Sequence, residues 1–215
     1  MQSRDIQHET MRIYHALVDE REDWGGALVL CCGAGCAASG VSAAVSIAGG
    51  TTLAFDSDAA AMKSAMRAGY LDFVVNTLDE ALRTLKNEIR QKRPLSVGLI
   101  ADIEVALAEM VERGVRPDFQ FLPKTQEGTI YRKRHHECFF AAPDSAALRE
   151  IDAALLAALP AEDVVRRRWL ERVPKYLREA RSAGRWTWLS DEELELLAAQ
   201  GLSPAPPSSA APKAP

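Results

Sequence analysis

The feature that most constrains the fold is a short apolar run that leads directly into a glycine-containing turn. Ala27–Cys32 is almost wholly apolar, Gly33 and Gly35 follow it, and the small residues of Ala37–Ala48 come next. Such an apolar run predicts a buried strand, and the stretch of small residues predicts a helix that packs closely on a sheet. The chain therefore begins its core with a strand, a tight turn and a crossover helix.

Apolar runs and amphipathic stretches go on alternating after this turn. The predicted strands are Ala27–Cys32, Thr51–Phe55, Phe73–Val75, Leu95–Ile100 and Pro117–Leu122. The predicted helices between and before them are Ile6–Glu20, Ala37–Ala48, Asp58–Arg67, a long helix opening at Thr77–Glu80, and Asp102–Arg113. Strands separated by helices imply crossover connections and a parallel sheet. We predict an α/β fold with a Rossmann-like parallel sheet, flanking helices and a C-terminal helical extension.

The pattern changes after Leu122. The expected elements are an edge hairpin over Thr129–Arg134 and Cys138–Ala141, a helix over Ser145–Leu159, a helix from Pro160 to about Ala183, and a short acidic helix from Ser190. The tail from Gly201 is rich in Ser, Pro and Ala and predicts disorder. The expected layout is a leading helix at 1–25, a Rossmann domain at 26–143, C-terminal helices at 144–200 and a disordered tail at 201–215.

The glycine turn has the spacing of a dinucleotide-binding site. Gly33 permits a tight turn, Gly35 leaves room for a pyrophosphate beside the backbone, and Ala38 allows close helix–strand packing. Asp56 immediately follows the second predicted strand, Thr51–Phe55, about 20 residues after the turn, where an acid hydrogen-bonds a ribose hydroxyl. The predicted cofactor-binding residues are Gly33, Gly35, Cys36, Ala37, Ala38, Ser39 and Asp56. A tight turn that binds nothing is the alternative.

Composition limits the other function classes. The net charge of −4 argues against a general nucleic-acid binder. Three of the four cysteines lie within Cys31–Cys36, unlike a secreted disulfide scaffold, and no apolar segment is long enough for a signal peptide or a membrane span. We therefore expect a reduced, cytoplasmic protein without nucleic-acid or membrane partners, and we read its cysteines as small buried hydrophobes.

Two further clusters have both a structural and a functional interpretation. His135–Cys138 contains metal-capable side chains, but two ligands on one strand face do not make a site, so no metal is expected. Arg166–Arg168 predicts a solvated helix face. With Trp169, Trp186 and Trp188 nearby, it alternatively suggests a subunit interface, and we expect a homo-oligomer. His8 and His15 are interpreted as surface or partly packed residues.

Several segments between Gly26 and Asp118 are similar to one known family. They are Gly69–Asp72, Leu78–Leu82, Ser96–Leu99 and above all Val111–Asp118, with its Glu-Arg-Gly-Val-Arg-Pro-Asp run. On these residues the chain resembles the NAD-binding domain of urocanase, urocanate hydratase. The resemblance implies a Rossmann-like fold and NAD as a tightly bound electrophile whose nicotinamide ring adds to the imidazole of the substrate.

The chain also departs from the pattern of that family. Its phosphate loop has fewer glycines, an arginine shortly after the strand-end acid is replaced by Ala61, and the turns at Ala101–Glu104 and Leu122–Gly128 differ from the family's ligand-contacting turns. The flanking segments that carry the active-site cysteine of the family are missing, so urocanate hydration by this chain alone is not expected. The leading hypothesis is a stand-alone urocanase-like domain that binds NAD or a related adenine nucleotide. The alternatives are a non-catalytic binding or assembly module that has lost the cofactor, and a small lyase completed by a partner subunit; catalytic residues stay unassigned.

Overall fold

The structure, a computed structural model, describes residues 3–32, 40–121, 135–177, 181 and 184–205. Its first part alternates helices and strands in the order α1 (Ser3–Glu20), β1 (Leu28–Cys32), α2 (Val41–Ala48), β2 (Thr51–Asp56), α3 (Ala59–Ala68), β3 (Phe73–Val75), α4 (Leu78–Gln91), β4 (Leu95–Ile100), α5 (Ile103–Glu112) and β5 (Phe119–Phe121). Its second part contains β6 (His136–Ala141), α6 (Ser145–Ala158), α7 (Val164–Tyr176), β7 (Gly184–Leu189) and α8 (Asp191–Ala199).

The first part forms the predicted parallel sheet. Its five strands lie in the order β3-β4-β2-β1-β5, and every neighbouring pair is parallel. The central strands are short and buried, because helices cover both faces of the sheet. The predicted α/β class is confirmed, and the five strands predicted for it all form.

Alternate residues of the strands face two separate cores. Val29, Cys31 and Ala54 join one core with α2 and α3. Leu30, Leu53, Val97 and Leu99 join the other with α4 and α5. The crossovers that leave β1 and β2 therefore pass over one face of the sheet, and those that leave β3 and β4 pass over the opposite face.

Two aspartates fasten strands at the amino edge of the sheet. Asp72, just before β3, accepts hydrogen bonds from the backbone N–H of Ser96 at 2.8 Å and from its hydroxyl at 2.9 Å. Asp118, just before β5, accepts one from the backbone N–H of Leu28 at 2.8 Å. Both residues end segments that carry the family resemblance. In each of these two segments, the aspartate holds neighbouring strands of the sheet together.

The C-terminal part corrects the predicted helix. The helix expected from Pro160 to Ala183 spans only α7, and β7 follows it as a strand antiparallel to β6. Cys138–Ala141 therefore pairs with β7, and the predicted partner at 129–134 lies outside the described residues. The alternation of Arg185, Trp186, Thr187 and Trp188 has the two-residue period of a strand, although no element was predicted between the helix ending near Ala183 and the helix beginning at Ser190. The C-terminal extension thus combines helices with a two-stranded sheet.

The C-terminal elements share a core with α1 and α2. Tyr14 of α1, Trp169 of α7 and Trp188 of β7 lie within 6.2 Å of one another between ring centroids. The hydroxyl of Tyr14 donates to the backbone oxygen of Val165 at 2.8 Å, and Arg172 donates to the carboxyl end of α2 at Ile47 O, 3.1 Å away. These contacts form a second layer outside α2.

The tail predicted to be disordered begins as an ordered segment. Ala205 donates its backbone N–H to the backbone oxygen of Phe139 in β6 at 2.7 Å. Residues 206–215 lie outside the described residues. None of the described helices has both the length and the apolar character needed to cross a membrane.

Candidate functional site

The topology points to the carboxyl edge of the sheet beside β1. The helix that leaves β1 packs on one face, whereas α5, which leads into β5, packs on the other. Since β1 and β5 are neighbours, their carboxyl ends border a topological switch point. In open α/β sheets, ligands bind in the crevice at such a point.

Asp56 is the described member of the predicted site, and it lies at this edge. It ends β2, the strand that pairs with β1, and it is 7% exposed. Its Oδ1 accepts a hydrogen bond from the backbone N–H of Asp58 at 2.9 Å, which fixes the carboxylate in the turn after β2. Its Oδ2 has no hydrogen bond within the described part of the chain, so one oxygen remains available to a ligand hydroxyl.

The amino end of α2 lies at the same edge. Its N-cap is Gly40, which has φ 73° and offers no side chain to the free N–H groups of the first turn. The hydroxyl of Ser42, in that first turn, is buried and has no hydrogen-bond partner among the described residues. Uncapped N–H groups at a helix start are suited to bind an anion.

Helix α1 limits the space on the outer side of this helix start. A Cβ added to Gly40 would lie 2.2 Å from the Thr10 hydroxyl oxygen, so only glycine fits between α1 and α2. Thr10 itself is fully buried and donates to the backbone oxygen of Ile6 at 2.7 Å. Sequence analysis missed both Thr10 and Ser42, because neither belongs to the glycine spacing.

The other predicted cofactor-binding residues are not described. Gly33, Gly35, Cys36, Ala37, Ala38 and Ser39 all lie outside the described residues, between β1 and Gly40. Their predicted contacts with a pyrophosphate stay predictions. The described flanks of this segment, Cys32 and Gly40, lie at the end of β1 and the start of α2, as the predicted order requires.

The two cysteines of β1 differ in redox state. Cys31 is disulfide-bonded, so the expectation of a reduced protein is wrong at this position, although the residue is buried as expected. Cys32 is free, and burial raises the pKa of its thiol although Gln120 donates to its sulfur at 3.7 Å. A thiol with a raised pKa stays protonated at neutral pH, which makes Cys32 a poor nucleophile.

The turn after β4 is used to start a helix. Asp102 is the N-cap of α5, and its carboxylate accepts from the backbone N–H groups of Glu104 and Val105. The backbone N–H of Ala101 donates to the backbone oxygen of Asp56 at 3.2 Å. The second altered turn, 122–128, lies outside the described residues. In the described turn, the Asp102 side chain and the Ala101 backbone N–H therefore both form hydrogen bonds with backbone groups of this chain.

A cavity of about 300 Å³ opens where β4 ends. Leu99 and Ala101 line it from the strand, Thr77 from the start of α4, and Val105 from α5. Asn76, Asp79 and Glu109 add polar groups to its lining, so the cavity has a mixed surface.

The basic cluster on α7 is not the predicted solvated face. Arg166 is 5% exposed and donates to Glu193 of α8 at 2.6 Å and to Asp163 at 2.7 Å. Arg167 donates to the backbone oxygens of Leu156 and Leu159 at the end of α6. These guanidinium groups fasten the C-terminal helices to each other, because each satisfies acceptors that would otherwise be buried alone.

Two histidines interpreted as surface or partly packed residues pack against the tryptophans of β7. His8 stacks on Trp186 with ring centroids 4.0 Å apart and pairs with Glu137 at 2.5 Å. His15 is 7% exposed and lies 5.1 Å from the Trp188 ring. Trp169 and Trp188 are buried within the chain, so neither offers its ring to the surface.

The His135–Cys138 segment splits between two environments. His136 is exposed and pairs with Asp191 at 2.9 Å, whereas the Cys138 thiol is buried and its pKa is raised by burial to about 11. Among the described residues, no group of three or more His, Cys, Asp or Glu side chains is arranged to hold a metal ion.

The fold and the strand-end acid together define a Rossmann-like α/β protein. The family model described as the urocanase Rossmann-like domain matches residues 5–121, which run from α1 to β5. The chain belongs to the urocanase family through this domain.

Proposed function

We propose that this chain binds NAD or a related adenine nucleotide at the carboxyl edge of its parallel sheet, with Asp56 on a ribose hydroxyl. The observation that carries the proposal is the buried Asp56 carboxylate at the end of β2, whose Oδ2 has no hydrogen bond to any described residue. The urocanase family is associated with NAD in general, which supports this choice of nucleotide.

The residues around Asp56 fit such a ligand. Within the described residues, the start of α2 has no side-chain cap, and the buried Ser42 hydroxyl in its first turn has no partner. A phosphate oxygen would satisfy N–H groups of this kind, and the nucleotide would supply the chemistry of its own rings. The proposed contacts of Gly33–Ser39 with the pyrophosphate complete the site.

Calorimetric titration with NAD, ADP-ribose and AMP tests the proposal. Asp56→Asn is the informative variant, because an amide oxygen can keep the bond from the Asp58 backbone N–H while the negative charge is lost. We expect its affinity to fall by roughly ten-fold, which is the range of one hydrogen bond to a charged group.

Asp58→Asn is the matched control. Asp58 lies two residues away, is exposed and caps α3 through its side chain, which asparagine also does well. We expect nucleotide affinity to be unchanged in this variant. The absence of binding by all three nucleotides to the unmodified chain would reject the proposal.

A binding or assembly module without a cofactor is the second candidate. It is favoured by Asp102, whose carboxylate is occupied with capping α5 in the turn that departs from the family pattern. Light scattering combined with the same titration separates the two candidates: an oligomer that binds no nucleotide supports the module, and nucleotide binding argues for the first proposal.

A further inference from the structure

A groove of about 790 Å³ runs along α4, on the face of the sheet that no second layer of described elements covers. Positions of α4 between Asp79 and Arg90 form one side of it, and positions between Arg113 and Asp118 form the other. None of its lining residues belongs to the proposed nucleotide site. What the groove binds is therefore independent of nucleotide binding.

The lining of the groove includes apolar side chains that are partly open to solvent. Leu82 and Ile89 of α4 and Val115 after α5 are each partly exposed. Leu85, which also lines the groove, is buried. An exposed apolar patch rimmed by polar residues marks a site of interaction.

The rim of the groove is basic. Both carboxylates that line it already have partners, because Asp79 pairs with Arg113 and Asp118 accepts from a backbone N–H. Within the described part of the chain, three of the five cations have no ion-pair partner. This excess of positive charge suits an acidic occupant. The five cations are Arg83, Lys86, Arg90, Arg113 and Arg116, and the three without a pair are Lys86, Arg90 and Arg116.

Helix α8 has an exposed face of the complementary character. Glu192, Glu195, Leu196 and Ala199 are all exposed and follow the i, i+3, i+4, i+7 spacing that places residues on one helix face. Leu196 is 48% exposed, although it is a large hydrophobic side chain. Among the described residues, neither glutamate has an ion-pair partner. This face is acidic around an exposed leucine, whereas the groove is basic around an apolar floor.

The lengths of the two surfaces also match. Helix α8 has nine residues, which gives it a length of roughly 13 Å. The α4 side of the groove, from Asp79 to Arg90, is roughly 16 Å long at the same rise per residue. A helix that lays an apolar residue into a groove of this kind is a common mode of protein recognition.

The α8 helix of the same chain cannot fill this groove. Its Glu193 pairs with Arg166 of α7, and its Leu197 belongs to the core that α7 shares with α2. That core lies on one face of the sheet, whereas α4 packs on the other. An α8 helix in the groove must therefore come from a second copy of the chain.

We propose that the groove along α4 binds the acidic face of α8 from a second copy of this chain. The glutamates of one copy lie among the unpaired cations of the other, and Leu196 packs on the apolar floor. A two-fold axis repeats the contact, so a closed dimer contains it twice. The homo-oligomer expected from the sequence is then held here and not at Trp169 or Trp188, which are buried.

Sedimentation velocity of the full chain without nucleotide tests for this dimer. Two small contacts predict a dissociation constant in the micromolar range, so the runs cover about 1 to 200 µM protein. Raising the NaCl concentration from about 0.05 to 0.5 M should weaken the dimer, because salt screens exposed charge pairs. A chain that stays monomeric over this range overturns the proposal and leaves the groove to a different acidic partner.

Charge reversals on the two surfaces locate the contact. Lys86→Glu alters the groove, and Glu195→Lys alters the exposed face of α8. An exposed ion pair contributes roughly two- to five-fold and the dimer contains the contact twice, so each variant should raise the dissociation constant by roughly four- to twenty-five-fold. Lys63→Glu is the matched control, because Lys63 is an exposed lysine of α3 outside the groove, and it should leave dimerisation unchanged.

An equimolar mixture of the Lys86→Glu and Glu195→Lys chains gives a readout that a folding defect would not produce. A mixed dimer contains one unaltered contact and one in which both charges are exchanged. It should therefore form more tightly than the dimer of either variant alone. A mixture that dimerises no better than its components, a dimer insensitive to salt, or an equal loss in Lys63→Glu would contradict the proposal.

Discussion

The two faces of the parallel sheet carry helices of different character. On one face, all eight residues of α2 are buried, and the helix consists of Val, Ser, Ala and Ile. On the other face, α4 buries Leu78, Ala81 and Leu85, while its remaining positions are partly or fully exposed. The difference arises because α1 and α7 cover α2 from outside, whereas charged side chains of α4 face solvent.

This asymmetry explains why α2 has no charged residues although the crossover helices of an open α/β sheet usually have one face exposed to solvent. A crossover helix with only one buried face needs an amphipathic stripe, and α4 has one. A helix enclosed between the sheet and a second layer needs small side chains on every face. The C-terminal elements therefore belong to the same core as α2, and substitutions on this face should cost more than those on the α4–α5 face.

The largest expected effect is on Trp169, at the centre of the second layer. Its ring is fully buried, and its Nε1 donates to the backbone oxygen of Trp186 at 2.7 Å. Trp169→Ala should lower the free energy of unfolding by about 3 to 5 kcal/mol, measured by urea denaturation. A loss below about 1 kcal/mol would mean that the second layer does not stabilise the domain.

The next effect tests the contact between α1 and α2. Gly40 and Gly114 both have positive φ, 73° and 65°, but an added Cβ meets Thr10 only at Gly40 and nothing within 4 Å at Gly114. Gly114→Ala should cost about 1 to 2 kcal/mol from the left-handed backbone alone. Gly40→Ala should cost about 1 to 3 kcal/mol more because of overpacking. Equal losses in the two variants would contradict the close approach of α1.

A smaller effect concerns the ion pair that holds α8 to α7. Burial alone raises the pKa of Glu193, but hydrogen bonds from Arg166 and Ser190 outweigh it, so the pKa lies below its usual value. A depressed folded-state pKa contributes stability above the unfolded pKa, and this stability is lost as the pH falls below about 4.5.

Unfolding measurements between pH 7 and pH 3 check this contribution. Glu193→Gln should be less stable at pH 7 and should show a flatter decline on acidification than the unmodified chain. If the two pH profiles are parallel, Glu193 does not carry the proposed part of the acid sensitivity.

The smallest effect is expected on the face of the sheet that carries α4 and α5, which no second layer of described elements covers. Val111 of α5 is 77% exposed, so Val111→Ser removes little buried surface. Its free energy of unfolding should change by no more than about 0.5 kcal/mol. Chemical denaturation of Val111→Ser and Trp169→Ala under the same conditions compares the two faces of the sheet directly. A loss above about 2 kcal/mol in Val111→Ser would show that a second layer covers α5 as it covers α2.

The sequence was sufficient for the parallel sheet because its signals are local. The strand over Leu95–Ile100 and the brief strand over Phe73–Val75 were predicted with the bounds that the structure gives them. The helix predicted to open at Thr77–Glu80 does so: the Thr77 hydroxyl accepts from the Glu80 backbone N–H at 3.3 Å, and the Glu80 carboxylate accepts from the Asn76 backbone N–H. Such signals depend on neighbours a few residues away.

The second layer depends on contacts between distant residues, which a single sequence does not reveal. Gln7 of α1 donates to Gly184 O and accepts from the Trp186 backbone N–H, across most of the length of the chain. Arg166 looked like a solvated charge because its partner Glu193 lies on a different helix. At the candidate site, Asp56 followed from its distance to the glycine turn, whereas Ser42 and Thr10 became visible only once α1 and α2 were placed together.

Backbone amide NMR spectra recorded during titration with NAD test the central claim most directly. The account predicts shifts at Asp56, Ala101 and Gly40, on the carboxyl edge of the sheet, with β6 and β7 unaffected. Shifts confined to the amino edge near Asp72 and Asp118, or no shifts at saturating nucleotide, would contradict it.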